Sequence, residues 1–181
     1  MALAAHTMTN APALIRKIHE EFGSIPFPTH CGLYAAMAMD DWISDETELR
    51  KITLEKDYIG EWWDVPLEHL KDCLHYSLCY LDSSGVEFYL PAYMVALLRF
   101  PEQFDYPKCS SAWSVIIHFR LNDDDDELRE YSRDKFSRID GGKKRVCREF
   151  LQYVAACPLY NNHAAELAKE ALENDFWAVD N

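Results

Sequence analysis

The sequence predicts a mainly α-helical protein that folds as one compact helical bundle over residues 1–181. Apolar residues recur at helical spacing along most of the chain, whereas strict alternation hardly occurs. Candidate capping residues and prolines mark short joints between these periodic segments. The hydrophobic share is 49%, with only 6 glycines and 8 prolines, which argues against a disordered or many-turned all-β chain. No internal repeat or low-complexity linker divides the chain, so we predict a single domain.

The first third of the chain predicts two helices and an ambiguous stretch between them. Three large apolar residues recur every fourth position over residues 11–22, behind candidate caps at Thr9 and Asn10. Residues 32–43 are ambiguous, although Leu33, Met37 and Trp42 could share one side of a helix. Ser44, Asp45 and Glu46 form a capped helix start, because short polar side chains accept hydrogen bonds from the first backbone N–H groups of a helix.

The middle of the chain predicts a helical hairpin. Asp64 can cap a helix over residues 67–81, with Pro66 at its start and leucines along one face. Residues 82–85 break the pattern. A second apolar helix follows, and we place Pro91 in the first turn of its main part because proline lacks a backbone N–H.

The last third predicts further helices, with one short strand as an alternative. Residues 115–119 include a β-branched run that suits a strand, but no partner strand is visible, so helix is favoured. The aspartates at 123–126 suit the positive end of a helix. Gly141 and Gly142 precede another helix, and Asn161 can cap the last one.

Charge and hydropathy exclude several function classes. The formal net charge is −13, so the field of the protein repels nucleic acid and anionic lipid. No uninterrupted apolar stretch is long enough to cross a membrane. The N-terminus lacks the apolar core of a signal peptide, and the six cysteines contain no C-x-x-C pair. We therefore predict a cytoplasmic protein with reduced thiols.

No set of residues forms a complete catalytic or metal-binding motif. His69 and Cys73 are four residues apart, but zinc requires three or four converging ligands. His30 and Cys31 lack a third residue to orient the histidine, and the aspartates at 123–126 lack the spacing of a calcium loop. We predict no catalytic residue, no metal and no cofactor.

Two aromatic and proline elements resemble a known family. They are Trp63-Asp64-Val65-Pro66 and Tyr89-Leu90-Pro91-Ala92-Tyr93, separated by a leucine-rich helix. In this respect the chain resembles a bacterial family of unknown function whose members carry Trp-x-x-(Ile/Val)-Pro and Tyr-Leu-Pro-Ala-Tyr-like elements. The resemblance covers most of the chain and implies no activity and no catalytic residue.

An acidic, aromatic segment over residues 40–64 predicts binding to a basic protein. Acidic groups speed encounter with a basic partner, and exposed aromatic residues hold the complex. The most concrete form is an immunity protein that neutralises a bacterial toxin. Trp62 is predicted to be the exposed anchor, and Trp63 to pack in the core. The predicted partner-binding residues are Asp41, Asp45, Glu46, Glu48, Asp57, Glu61 and Trp62.

Two alternatives remain open at this point. Glu87, Tyr89, Tyr93 and His75 could line the pocket of a small enzyme, since a tyrosine and a carboxylate can transfer protons. The other alternative is a scaffold or regulatory protein without catalysis.

Overall fold

The structure, a computed structural model, describes residues 2–74, 77–104, 112–121 and 125–178, with residues 2–10 and 77 described for the backbone only. These ranges contain ten α-helices and no strand, which confirms the mainly α prediction. The helices are α1 (Ala2–Phe22), α2 (Leu33–Asp40), α3 (Glu46–Lys56), α4 (Leu67–Asp72), α5 (Ser77–Tyr80), α6 (Ser83–Arg99), α7 (Trp113–Ile116), α8 (Asp126–Lys135), α9 (Gly141–Ala156) and α10 (Asn162–Glu173). Short 3-10 segments cover Trp62–Asp64, Pro101–Phe104, Ile117–Arg120 and Asp175–Trp177.

Helix α6 is the buried centre of the fold. Its residues from Gly85 to Leu98 are buried with one exception, Glu87, because the sequence is apolar on every side of the helix. Asp82 starts the helix by accepting a hydrogen bond from the backbone N–H of Gly85 at 2.8 Å. The prediction that Pro91 lies in a first turn is wrong, since it lies in the helix interior, where it withholds one backbone donor.

The predicted continuous helix over residues 67–81 is wrong, although four of its five leucines are buried in the core as expected. The chain turns after Asp72, where the backbone N–H of Cys73 bonds back to the carbonyls of His69 and Lys71. Helix α4 then contacts α6, whereas α5 contacts α2. The two short helices therefore bury their leucines against different neighbours. Asp64 lies in a 3-10 segment and does not cap α4.

The C-terminal helices pack around an aromatic cluster. Trp177 donates from Nε1 to the carbonyl of Phe119 at 2.6 Å, and its ring centre lies 5.3 Å from that of Phe119. Phe136 and Phe150 are buried beside Phe119, with ring centres 6.2 and 5.9 Å from it. The residues at 115–119 are helical, as favoured from the sequence, and they place Phe119 in this cluster.

Several helix boundaries follow the local signals. Asp45 accepts a hydrogen bond from the backbone N–H of Glu48 at 2.9 Å, and Asn161 accepts one from Ala164 at 2.9 Å. The first helix is longer than expected, because it begins at Ala2 rather than behind Asn10. Pro12 lies inside this helix, where it withholds one backbone donor. In the ranges that the structure describes, no helix has both the length and the apolar character needed to cross a membrane.

Candidate functional site

Trp42 ends helix α2 in a conformation that normally requires glycine. Its backbone N–H bonds to the carbonyl of Met39 at 3.1 Å, and the N–H of Ile43 bonds to the carbonyl of Ala38 at 3.1 Å. This pair of bonds is the Schellman motif, in which the residue after the C-cap adopts a left-handed conformation. Trp42 has that conformation, with φ of 67°.

The indole of Trp42 contributes almost nothing to the core. The residue is 93% exposed, the highest value among the large apolar residues that the structure describes as exposed. A left-handed conformation costs a residue with a Cβ roughly 1–2 kcal/mol, whereas glycine adopts it freely. Tryptophan at this position is therefore worse for folding than glycine, and its side chain faces solvent.

Exposed carboxylates surround the turn that carries Trp42. Asp41, Asp45, Glu46 and Glu48 are all exposed. Asp45 is three residues from Trp42, so their Cα atoms lie within roughly 11 Å of each other. Asp45 caps α3, and Glu46 and Glu48 lie in its first turn, where negative charge also favours the helix dipole. We call these four acidic residues together with Trp42 the Trp42 surface.

Asp57 is not a surface residue, so its assignment to the partner surface is wrong. It is 8% exposed and accepts hydrogen bonds from the backbone N–H of Leu33 at 2.8 Å and the hydroxyl of Tyr89 at 3.2 Å. The backbone of Gly32 approaches its carboxylate so closely that a Cβ would not fit. Burial raises the pKa of Asp57 to about 6, although these hydrogen bonds act in the opposite direction. Asp57 joins α2, α3 and α6.

Trp62 is also buried, so the prediction that it is an exposed anchor is wrong. Its Nε1 donates to the carbonyl of Gly23 at 2.7 Å, and its ring centre lies 4.7 Å from that of His19. The short 3-10 helix at Trp62–Asp64 turns the next side chain outward, so Trp63 is 37% exposed. Glu61 is partly buried and accepts a hydrogen bond from the hydroxyl of Ser24 at 3.0 Å.

Comparison with known proteins identifies the family. A model described as a family of unknown function (DUF6714) matches residues 10–181. The chain belongs to DUF6714. This confirms the resemblance to a family of unknown function. No curated protein and no solved structure matches the chain. Membership in DUF6714 therefore assigns no activity, and the candidate site depends on the geometry of this chain.

The residues proposed for an enzyme pocket serve other contacts in this DUF6714 protein. Tyr89 and Tyr93 are buried, and the Tyr89 hydroxyl is hydrogen-bonded to Asp57. Glu87 forms an ion pair with Lys143 on α9. The fourth residue of that set, His75, lies outside the described residues. The three described side chains therefore form core and interhelical contacts, which do not present a tyrosine hydroxyl to a substrate.

The candidate metal pair is also part of the packing. The ring of His69 lies edge-on to Tyr34, with centres 5.2 Å apart, and its Nδ1 is buried without a hydrogen-bond partner. Burial raises the pKa of the Cys73 thiol to about 12, so the thiol is protonated at neutral pH. Within the described ranges, no group of three or more histidine, cysteine or acidic side chains is placed to hold a metal ion.

Proposed function

We propose that this DUF6714 protein binds a basic protein partner through the Trp42 surface. The observation that carries the proposal is Trp42 itself, which is nearly fully exposed in a left-handed conformation. Residues held in unfavourable backbone conformations cluster at functional sites, and tryptophan is enriched among the residues that dominate binding energy. An indole that weakens the fold and lies in solvent is best explained by a contact with another molecule.

The charge around Trp42 supports a basic partner. The exposed acids Asp41, Glu46 and Glu48 give the Trp42 surface a negative potential, which accelerates association with a positive surface. Part of this charge is explained by α3, because its N-terminus favours acidic residues. Asp41 lies before that helix and has no role in capping it.

In its most concrete form, the proposed partner is a bacterial toxin and this protein is its cytoplasmic immunity protein. Buried thiols at Cys31, Cys73, Cys147 and Cys157 suit a reducing compartment. A scaffold or regulatory protein would use the same surface for a harmless partner. Co-expression separates these two functions, because only an immunity protein restores the growth of cells that produce the captured partner.

The first experiment is capture of the partner with the full chain, followed by mass spectrometry. Wild type and Leu159→Ala are expected to recover the same basic protein, and Trp42→Ala is expected to lose it. Leu159 is the matched control, because it is another apolar side chain with 46% exposure in a different part of the fold. Equal recovery by all three chains would place the interface elsewhere.

The second experiment measures binding kinetics after removal of charge. The triple variant Asp45→Asn, Glu46→Gln and Glu48→Gln keeps a good N-cap, because asparagine caps helices as well as aspartate. It should associate more slowly and with a weaker dependence on salt, whereas Trp42→Ala should mainly dissociate faster.

The control for the charge experiment removes the same three charges elsewhere. Glu20→Gln, Glu127→Gln and Glu130→Gln are changes at exposed positions outside the Trp42 surface. Association rates that fall equally in both triple variants would mean that net charge alone drives the encounter, and would contradict a localised acidic interface.

A further inference from the structure

A cleft of about 670 Å³ lies between α8, α10 and the segment Ile117–Arg120, far along the chain from the Trp42 surface. This volume is within the range of small-molecule pockets. Part of its wall is apolar, formed by Ile117, Leu121, Leu128 and Phe136. The remaining lining includes Cys79, His118, Tyr131 and Lys135.

Lys135 is a buried amine that lines this cleft without an acidic partner. The residue is 7% exposed, and its Nζ donates to the carbonyl of Cys79 at 3.1 Å. Nζ also lies 5.9 Å from the centre of the Tyr131 ring. No carboxylate among the described residues forms an ion pair with it, and the nearby Glu170 is paired with Arg120 at 2.9 Å. Burial lowers the pKa of Lys135 to about 8.

These contacts make Lys135 a candidate nucleophile. At pH 7 roughly one molecule in ten would carry the neutral amine, against fewer than about one in a thousand for an ordinary lysine. Desolvated lysines of this kind form Schiff bases with carbonyl compounds. One N–H of the neutral amine donates to the Cys79 carbonyl and holds the amine in one place, which leaves its other N–H and its lone pair for other contacts.

The groups beside Lys135, His118 and Cys79, favour reaction of an electrophile with the amine over its reaction with the thiol. Burial lowers the pKa of His118 to about 3, so its ring is neutral at pH 7 and is a weak base. Its Nε2 lies 3.8 Å from Sγ of Cys79. Burial raises the pKa of the Cys79 thiol, so the thiol stays protonated and is a weak competitor for an electrophile.

A neutral ligand fits the cleft better than an anion. The charged residues of the cleft lining balance, because Glu170 and Glu173 occur with Arg120 and Lys135, and the whole chain has a net charge of −13. Neither the lining nor the whole chain offers an excess of positive charge to a free carboxylate or phosphate. The apolar wall favours a ligand with a hydrocarbon part, and the amine favours an electrophilic carbon.

We propose that this cleft binds a small, largely apolar aldehyde or ketone, and that Lys135 condenses reversibly with its carbonyl carbon. The Nζ lone pair forms the new C–N bond while the electron pair of the C=O bond moves to oxygen. Transfer of protons from nitrogen to oxygen then releases one molecule of water and leaves a C=N bond. The reaction consumes no oxidant or reductant.

The test uses the full chain, butanal as a neutral apolar probe and sodium cyanoborohydride to trap the imine at pH 7. Peptide mass spectrometry measures the trapping rate at Lys135 and at Lys17, a half-exposed lysine elsewhere in the protein. Lys135 should be modified at least tenfold faster, and its rate should saturate with butanal concentration. A rate at Lys135 no higher than at Lys17, or one that stays linear in butanal, would overturn the proposal.

Two controls make the result specific. Lys135→Arg keeps a donor for the Cys79 carbonyl but cannot form the imine, so its intact mass should show one trapped adduct fewer while circular dichroism stays unchanged. If that variant does not fold, the comparison of Lys135 with Lys17 in the wild type still decides the question. Glyoxylate tests an anionic aldehyde, and preferential trapping of glyoxylate over butanal at Lys135 would contradict a neutral-ligand site.

Discussion

Replacing Trp42 with glycine should give a more stable protein than replacing it with alanine. Both variants remove the indole, but only glycine removes the Cβ that makes φ of 67° unfavourable. The left-handed conformation costs alanine roughly 1–2 kcal/mol. Glycine loses about 0.4–1 kcal/mol more than alanine from the conformational entropy of the unfolded chain. The difference is an advantage of about 1 kcal/mol for Trp42→Gly.

The comparison with the wild type tests the exposure of the indole. Because only about a fifteenth of Trp42 is buried, its removal should cost less than about 0.5 kcal/mol of apolar burial. Trp42→Gly should therefore be at least as stable as the wild type. Urea denaturation followed by circular dichroism at 222 nm measures both differences without relying on tryptophan fluorescence. A loss of more than about 2 kcal/mol in both variants would refute the reasoning, because it would mean that the indole packs in the core.

Three further predictions concern the residues that the sequence misplaced. Asp57→Ala should lower the free energy of unfolding by on the order of 3 kcal/mol, because it leaves the Leu33 N–H and the Tyr89 hydroxyl buried without an acceptor. The pKa of Asp57 is about 6 in the folded state against an ordinary value of 3.8, so the unfolded chain loses this proton first as pH rises. The contribution of Asp57 to stability should therefore fall as the pH rises from about 4 to 6, by roughly 3 kcal/mol at most. Urea denaturation across this pH range should show this loss in the wild type and not in Asp57→Asn, which has no carboxyl group at position 57 to titrate. In the same urea assay, Trp62→Ala should lower the free energy of unfolding by about 3–5 kcal/mol, and Trp63→Ala by about 1 kcal/mol or less. The reverse order would show that Trp63, and not Trp62, is the buried side chain.

The sequence predicted those parts of the fold that depend on neighbours along the chain. Asp45 and Asn161 cap helices through backbone groups three residues away, so their roles are visible in a short window. The apolar residues of α6 occur on all sides of the helix, which indicates a buried element before any partner is known.

The misplaced residues depend on contacts between distant segments. Asp57 lies among acidic surface residues in the sequence, but its hydrogen-bond partners are Leu33 and Tyr89, which are 24 and 32 positions away. Trp62 bonds to the carbonyl of Gly23, 39 positions earlier. The local sequence does not distinguish Trp62 from Trp63. The short 3-10 helix that directs one side chain inward and the other outward packs against α6, a distant part of the chain.

Trp42 was missed as the anchor for a different reason. Its segment is acidic and aromatic in the sequence, but a left-handed turn is normally signalled by glycine, and here the position holds tryptophan. The residues that follow α2 are Asp41, Trp42 and Ile43, and they include no glycine or asparagine that would mark the turn in the sequence. Only the structure shows that the indole is exposed there.

The central claim is that Trp42 serves binding at the expense of stability, and the dissociation constant of the captured partner tests it most directly. We predict that Trp42→Gly weakens binding at least tenfold, equivalent to about 1.4 kcal/mol, while Leu159→Ala leaves the constant unchanged. Stability at or above the wild-type level in the same Trp42→Gly preparation would show that the loss comes from the interface. An unchanged dissociation constant for Trp42→Gly in a folded protein would contradict the account.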